Sequence, residues 1–390
     1  MTGRGPARHR QPAHQPDWRD AKWRSGLRRR LSSWFKANAR RLPWRDDPQP
    51  YHVWVSEIML QQTQVATVLP YYKRWMRSFP TVADLAAADE ADLMRHWEGL
   101  GYYRRVRSMH AAAKQIVEEH GGRFPQDFEA VLALPGVGRY TAGAVLSISG
   151  DGRYPVLEGN TQRVYSRWMA LRETPSDKDA NRLLWEFATA MLPRSGSGQF
   201  NQAAMELGAL VCFPKTPDCP SCPVQRFCAA HRLGLQREIP GKIKRIAYQP
   251  RTEFALVIQR SAPPRSDRQG ATEFLVRPLP EGGRWAGLWD FPRPTDVETD
   301  SVTIAADWLG KQLNATVSPG IRLKTFRHAV TKYRISLHVH AAALPDSFAT
   351  PPPPWRWVSV TDLGGLPMSV TGRKIADFLA AEPQAFLPLS

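Results

Sequence analysis

The stretch Leu134-Pro135-Gly136-Val137-Gly138-Arg139-Tyr140-Thr141-Ala142-Gly143 decides how this chain is read. It joins two helical segments through a tight turn with glycine at alternate positions. Glycine lets backbone approach a ligand with no Cβ in the way. The helix that follows offers unpaired N–H groups and a positive dipole end to an anion. Gly136, Val137 and Gly138 are therefore candidate phosphate contacts, in a device that reads a nucleic-acid backbone rather than its sequence. A short Gly-x-Gly turn also occurs at ordinary helix–helix corners, so its meaning rests on its surroundings.

Those surroundings are helical. Apolar residues recur at helical spacing over 53–69, 82–97, 108–120, 128–132, 138–149 and 161–171, with Pro or Gly near the ends. All four cysteines then fall in one run, Cys212-x6-Cys219-x2-Cys222-x5-Cys228. Four thiols gathered in one place build a metal site, and thiolates select a structural zinc or an iron–sulfur cluster. Spacing alone leaves that choice open, because zinc sites usually carry two C-x2-C pairs and this run carries one.

The chain of 390 residues carries a net charge of +17. Residues 1–30 hold nine Lys/Arg against two Asp, and 1–25 reads as a basic disordered tail. The rest of the charge is spread over the folded parts, which makes a polyanion the natural partner. No apolar run approaches the ~20 residues that span a bilayer, and no signal-peptide core is present. The expected compartment is the cytoplasm, where thiols stay available to metal.

A helical domain over 26–232 is expected, with its hairpin near 123–150 and its metal loop at 212–228. A basic Pro/Gly-punctuated linker covers 233–250. Beyond it the period shifts: 254–258, 273–276, 335–340 and 355–360 read as strands and 302–313 as a helix, giving an α+β domain over 251–386.

The motifs now add up to a resemblance. LPGVGRYTAGAV resembles the helix-hairpin-helix of base-excision DNA glycosylases, and the cysteine run resembles the 4Fe–4S loop of their endonuclease III and adenine glycosylase branches. WVSEIMLQQTQV at 54–65, Gly99-Leu100-Gly101-Tyr102-Tyr103 and Phe200-Asn201-Gln202-Ala203 single out the adenine DNA glycosylase (MutY) family. The likeness runs from about Leu42 to Cys228. It continues more weakly through Gly287-Leu288-Trp289-Asp290-Phe291-Pro292 and Phe326-Arg327-His328 into a MutT/Nudix-like domain. It implies a monomer that removes adenine opposite 8-oxoguanine or guanine in double-stranded DNA, acts on the nucleoid and holds a 4Fe–4S cluster on Cys212, Cys219, Cys222 and Cys228.

Breaking an N-glycosidic bond needs an extruded base, one protonated carboxyl on the base side and one carboxylate on the sugar side. Apolar neighbours Val53, Trp54 and Leu60 would raise the pKa of Glu57 and keep its proton on. The resemblance makes Glu57 the general acid at adenine N7. The second carboxylate departs from the family, which has Asp before Gly-Asn where this chain has Glu158-Gly159-Asn160. A repositioned working carboxylate is the favoured reading. A shifted base preference, or a lesion binder that does not excise, are the alternatives. Tyr140 stands where endonuclease III-like enzymes carry a Schiff-base lysine; a phenol forms no imine, so lyase chemistry through it is excluded.

The resemblance also assigns the surroundings of the base. Trp44, Arg45 and Gln202 line the adenine pocket, Gln62 and Tyr102 wedge into the stack, and Thr63 and Leu100 lie beside the opposite base. Asn160 belongs to the carboxylate turn. Arg95, Arg104, Arg105 and Arg107 offer phosphate contacts, and Lys215 and Arg226 ride on the metal loop. Where the family often carries Phe-Ser-His in its lesion-reading loop, this chain offers Val330-Thr331-Lys332, with Thr331 supplying the hydroxyl. The acid-poor segment 300–313 lacks the glutamates of a hydrolytic Nudix helix, so no nucleotide hydrolysis is expected.

Overall fold

The computed structural model describes residues 18–241, 247–262, 272–295, 299–330 and 332–381. Helices α1 (Ala21–Asn38), α2 (Pro43–Asp46), α3 (Pro50–Leu60) and α4 (Val65–Ser78) come first. Then follow α5 (Val82–Ala87), α6 (Glu90–Trp97), α7 (Arg104–His120), α8 (Phe128–Leu132) and α9 (Arg139–Gly150). Next are α10 (Gly159–Met169), α11 (Lys178–Met191), α12 (Ser197–Leu210) and the short α13 (Ala229–Arg232). The remainder runs β1 (Gln249–Ser261), β2 (Thr272–Pro278), β3 (Trp289–Asp290), α14 (Val302–Leu313), β4 (Ser318–Val330), β5 (Tyr333–Ala343), β6 (Arg356–Ser359), α15 (Val360–Leu363) and α16 (Val370–Ala381). Among the described residues no helix is long and apolar enough to cross a membrane.

Contacts gather 18–86 and 108–241 into one compact unit, and 87–107 with 247–381 into a second. The helical unit is built around α9, whose residues Thr141–Ser147 are all buried, packed against α3 and α12. Small residues permit the approach: a Cβ on Gly198 would lie 2.1 Å from the Ser147 carbonyl oxygen, and one on Gly143 2.5 Å from that of Pro155. Helix α1 begins at an Asp20 cap that accepts from the Lys22 N–H, and buries Leu27, Leu31 and Phe35 at fourfold spacing. Each such side chain contributes roughly 1.5–3 kcal/mol on leaving water.

Three sequence expectations need correction. Residues 53–69 do not form one helix: α3 ends at Leu60, and the polar run Gln61–Gln64 turns the chain with Gln62 in the left-handed region, φ 58°. The buried residues of α3 end at Met59, and α4 starts a new apolar face on Val68, Tyr72 and Trp75. Likewise 82–97 breaks into α5 and α6, with Asp89 at the N-cap of the latter. Residues 18–25, expected in the tail, belong to the fold, since Trp18 is buried edge-on against Phe187 at 5.4 Å.

The second unit has a mixed sheet in the order β3-β2-β1-β5-β4, with β6 also on β2. Strands β1 and β5 run parallel; β1–β2, β2–β3, β2–β6 and β4–β5 are antiparallel. Alternation along β1 sends Phe254, Leu256 and Ile258 to α14 on one face, and Ala255 and Val257 to α16 on the other. Strand β4, at the sheet edge and largely exposed, was not expected. An edge strand with little to bury shows no apolar alternation. Segment 87–107, expected in the helical domain, is tied to this unit. Glu98 pairs with Arg373 at 2.6 Å, and Arg107 bridges Glu90 at 2.7 Å and the Ala286 carbonyl at 2.5 Å.

Candidate active site

A cleft of about 920 Å³ opens in the helical unit where the end of α3, the start of α9, the start of α10 and the middle of α12 meet. Glu57, Tyr140 and Glu158 all line it, together with Gln62, Thr63, Gly138 and Asn160. Residues far apart in sequence are thus brought to one place, as the two-carboxylate chemistry requires.

Glu57 sits on the most buried helix of the unit and is only 4% exposed. Its Oε2 accepts a hydrogen bond from the Tyr140 hydroxyl. Burial pushes the carboxyl up to about 7, and the nearby Glu158 charge adds to the rise, against the opposing pull of the Tyr140 bond and Arg45. Burial also drives Tyr140 well above the usual phenol value, so it stays a neutral donor. With Oε2 accepting from Tyr140, Oε1 is the oxygen left without a hydrogen bond from that hydroxyl.

Glu158 caps α10 with its own side chain. Oε2 accepts from the Asn160 N–H at 2.8 Å and Oε1 from the Thr161 N–H at 2.9 Å, while Thr161 Oγ1 accepts from the Glu158 N–H at 2.8 Å. Burial raises this carboxyl above its ordinary value, and the two backbone donors and Arg163 offset only part of the rise. Amide donors at a helix start are complementary only to an acceptor, and they favour the charged form. The extra methylene is absorbed by the cap. Arg163 then ties this turn to the cysteine segment, donating to Asn160 Oδ1 and the Cys212 carbonyl at 2.8 Å each.

The two hairpin glycines have different reasons. Gly136 has φ 76°, and a Cβ there would lie 2.5 Å from the Ser108 Cβ, so its need is one of turn and packing. A Cβ on Gly138 would meet nothing, and this residue faces the cleft at the N-cap of α9. Val137 is buried.

Trp44, Arg45 and Gln202 do not line the cleft; they stand behind it. Trp44 is buried edge-on to Tyr72, and Arg45 Nε donates to Gln202 Oε1 at 3.1 Å. Arg45 is anchored on Glu206, which does line the cleft beside Arg40. Sequence reasoning missed Glu206. Burial alone would raise it, but bonds from Arg40 and Arg45 hold it at about 2, a fixed negative charge within the cleft wall. The signal was present: Gln202 and Glu206 sit four apart on α12, and Glu206 is the one charged residue of that helix.

Leu100 and Tyr102 lie in segment 87–107 of the second unit, Leu100 buried and Tyr102 62% exposed. Of the arginines expected at phosphates, Arg104 is exposed, Arg95 pairs with Asp92, Arg107 with Glu90, and Arg105 donates to main-chain carbonyls. Lys215 is exposed, and Arg226 stacks on Phe227. Thr331 lies outside the described residues.

The four cysteines form no disulfide and together line one small cavity under α10. Arg167 Nη1 donates to Cys212 Sγ at 3.1 Å. Burial, then the neighbouring sulfurs, push Cys222 up to about 12 and Cys228 to about 11. Four cysteine sulfurs at one cavity are a donor set that suits a soft metal, and Arg167 would offset part of the negative charge of the thiolates. Among the described residues, no three His, Cys, Asp or Glu side chains converge as they would on a single ion.

Residues 55–189 match the HhH-GPD superfamily of base excision DNA repair proteins, and 268–377 match the NUDIX domain. The adenine DNA glycosylase of Mus musculus is 35% identical over 90% of this chain and 77% of its own length. That of Homo sapiens is 34% identical over 92% and 74%, and that of Buchnera aphidicola subsp. Schizaphis graminum 33% over 79% and 84%. The fold of the helical part is shared with a thermostable thymine-DNA glycosylase, with a TM-score of 0.50 and 24% identity over 54% of this chain and 98% of that one. The chain belongs to the adenine DNA glycosylase family, enzymes of base excision repair that remove adenine from DNA.

Proposed function

We propose that this enzyme excises adenine paired with 8-oxoguanine, or with guanine, by acid-assisted cleavage of the N-glycosidic bond. The observation that carries the reading is the pair of unlike carboxyls in one cleft: Glu57, buried at about 7, and Glu158, held by two backbone amides. Adenine leaves poorly as an anion. Glu57 Oε1 delivers a proton to N7, the glycosidic electron pair goes to the base, and the sugar becomes an oxocarbenium ion. Glu158 faces that cation with its charge, and water completes the hydrolysis. Tyr140 keeps Glu57 aimed, and its phenol forms no Schiff base with the sugar. Arg45, Gln202 and Glu206 shape the adenine side.

The cysteine loop is read as the holder of a 4Fe–4S cluster. Four cysteines lining one cavity support a metal-bound loop, and the family resemblance favours a 4Fe–4S cluster over zinc. Its role is to fasten the loop carrying Lys215 and Arg226 beside DNA. The Nudix-like domain is read as the sensor of 8-oxoguanine. There His328 lies 6.0 Å from the Trp285 ring, and burial, then Arg293, push it down to about 4, so it meets a base as neutral imidazole. The enzyme is taken to work as a monomer in the cytoplasm.

The test is incubation with duplexes carrying A opposite 8-oxoguanine, G, C or T, followed by alkali cleavage at abasic sites. Strand breaks at adenine, fastest opposite 8-oxoguanine, are expected. Tight binding without breaks would support the lesion-binder alternative, and breaks at another base would mean a shifted preference.

A further inference from the structure

We propose that Arg105 is a positioning residue that braces Tyr102 as a preformed wedge for DNA. The inference rests on the reading of Tyr102 as the residue that enters the base stack. Tyr102 is held at φ 50°, a left-handed conformation that a tyrosine rarely adopts, between Gly99 at φ 97° and Gly101 at φ 70° on one side and the first turn of α7 on the other. The residue is nevertheless 62% exposed, so burial of Tyr102 does not hold the conformation.

Arg105 reaches every part of the turn. Its Nη2 donates to the carbonyls of Leu100 and Gly101, at 3.1 Å each, and its main-chain N–H donates to the Tyr102 carbonyl at 2.9 Å. The guanidinium carbon lies 5.3 Å from the Trp97 ring centre and 5.6 Å from that of Tyr102. Trp97 Nε1 donates to the same Gly101 carbonyl at 3.0 Å. One planar cation thus fixes two carbonyls and supports the wedge ring from the protein side. Lysine, a point charge without a fork or a plane, cannot make both contacts. Burial lowers Arg105 to about 10, so the group is still charged at neutral pH. A wedge set before DNA arrives spares the ordering cost that a mobile loop would meet on binding.

A double-mutant cycle on the full chain tests this, using Arg105→Lys and Tyr102→Leu. Two readouts are taken: single-turnover excision, and fluorescence of 2-aminopurine placed at the target position to report extrusion. Thermal melting checks that each variant folds, with Arg105→Gln as the second probe should the lysine variant melt early. Arg105→Lys is expected to lower extrusion and excision by roughly ten- to a hundredfold, the scale of a ~1 Å misplacement. In the Tyr102→Leu background it should add little, because the wedge is already gone. Equal losses in both backgrounds, or no loss from Arg105→Lys, would overturn the bracing role. No effect of Tyr102→Leu alone would instead overturn the wedge on which it rests.

Discussion

A carboxyl that must give up a proton at neutral pH has to be kept from ionising, and for Glu57 burial does this. The same burial has a cost in stability that can be read against pH. The folded-state value of about 7 lies above the ordinary 4.5, so the folded chain keeps a proton there that the unfolded chain has lost. This stabilisation is fully present below about pH 4.5 and is lost as pH rises through 7. Glu57→Gln removes the penalty. In melting curves it should be more stable than the parent above pH 7, by up to about 3 kcal/mol, and should lose that advantage near pH 4. An equal difference at both pH values would mean that Glu57 is not the buried acid. Glu158 makes the opposite demand, for charge, and its cap supplies the donors. Glu158→Asp should keep excision within about tenfold while Glu158→Ala loses a hundredfold or more, in line with the geometric sensitivity of such groups. Unchanged excision in both would remove it from the chemistry.

Elements explain why some of this was legible beforehand. The hairpin turn, the length of α8 and α14, and the faces of β1, β2 and β5 follow from local pattern, because each buries a regular set of side chains. The break between α3 and α4 was hidden, since apolar helix faces lie on both sides of it and only the short polar run Gln61–Gln64, with Gln62 at positive φ, marks the change. Edge strand β4 had no buried face to reveal it. Tertiary pairing was least visible: nothing near Glu206 in sequence says that Arg40 and Arg45 will hold it, 166 and 161 residues away. The cysteine loop lies between these cases, its ligand set plain from spacing and its occupant not. Purified enzyme should be coloured, with broad visible charge-transfer absorption that bleaches on cluster loss. A colourless sample containing zinc would contradict the cluster.

For the whole molecule, the helical unit holds the cleft with Glu57 and Glu158, and the sheet-bearing unit holds Tyr102 and the Nudix-like fold. Placing segment 87–107 with the second unit means that, on the proposed reading, the wedge and the sensor belong to one unit, a grouping invisible in the chain order. The net charge of +17 serves both units by drawing the polyanion in. What neither charge nor fold supplies is bond cleavage, which in the proposed mechanism rests on the proton of Glu57. The direct measurement is the single-turnover rate of adenine excision opposite 8-oxoguanine from pH 5 to 9, for the parent and for Glu57→Gln at saturating enzyme. The parent rate should fall above an apparent pKa near 7, and the variant should bind DNA yet excise roughly two to four orders of magnitude more slowly. A variant rate close to the parent's, or a parent rate that stays flat up to pH 9, would contradict the account.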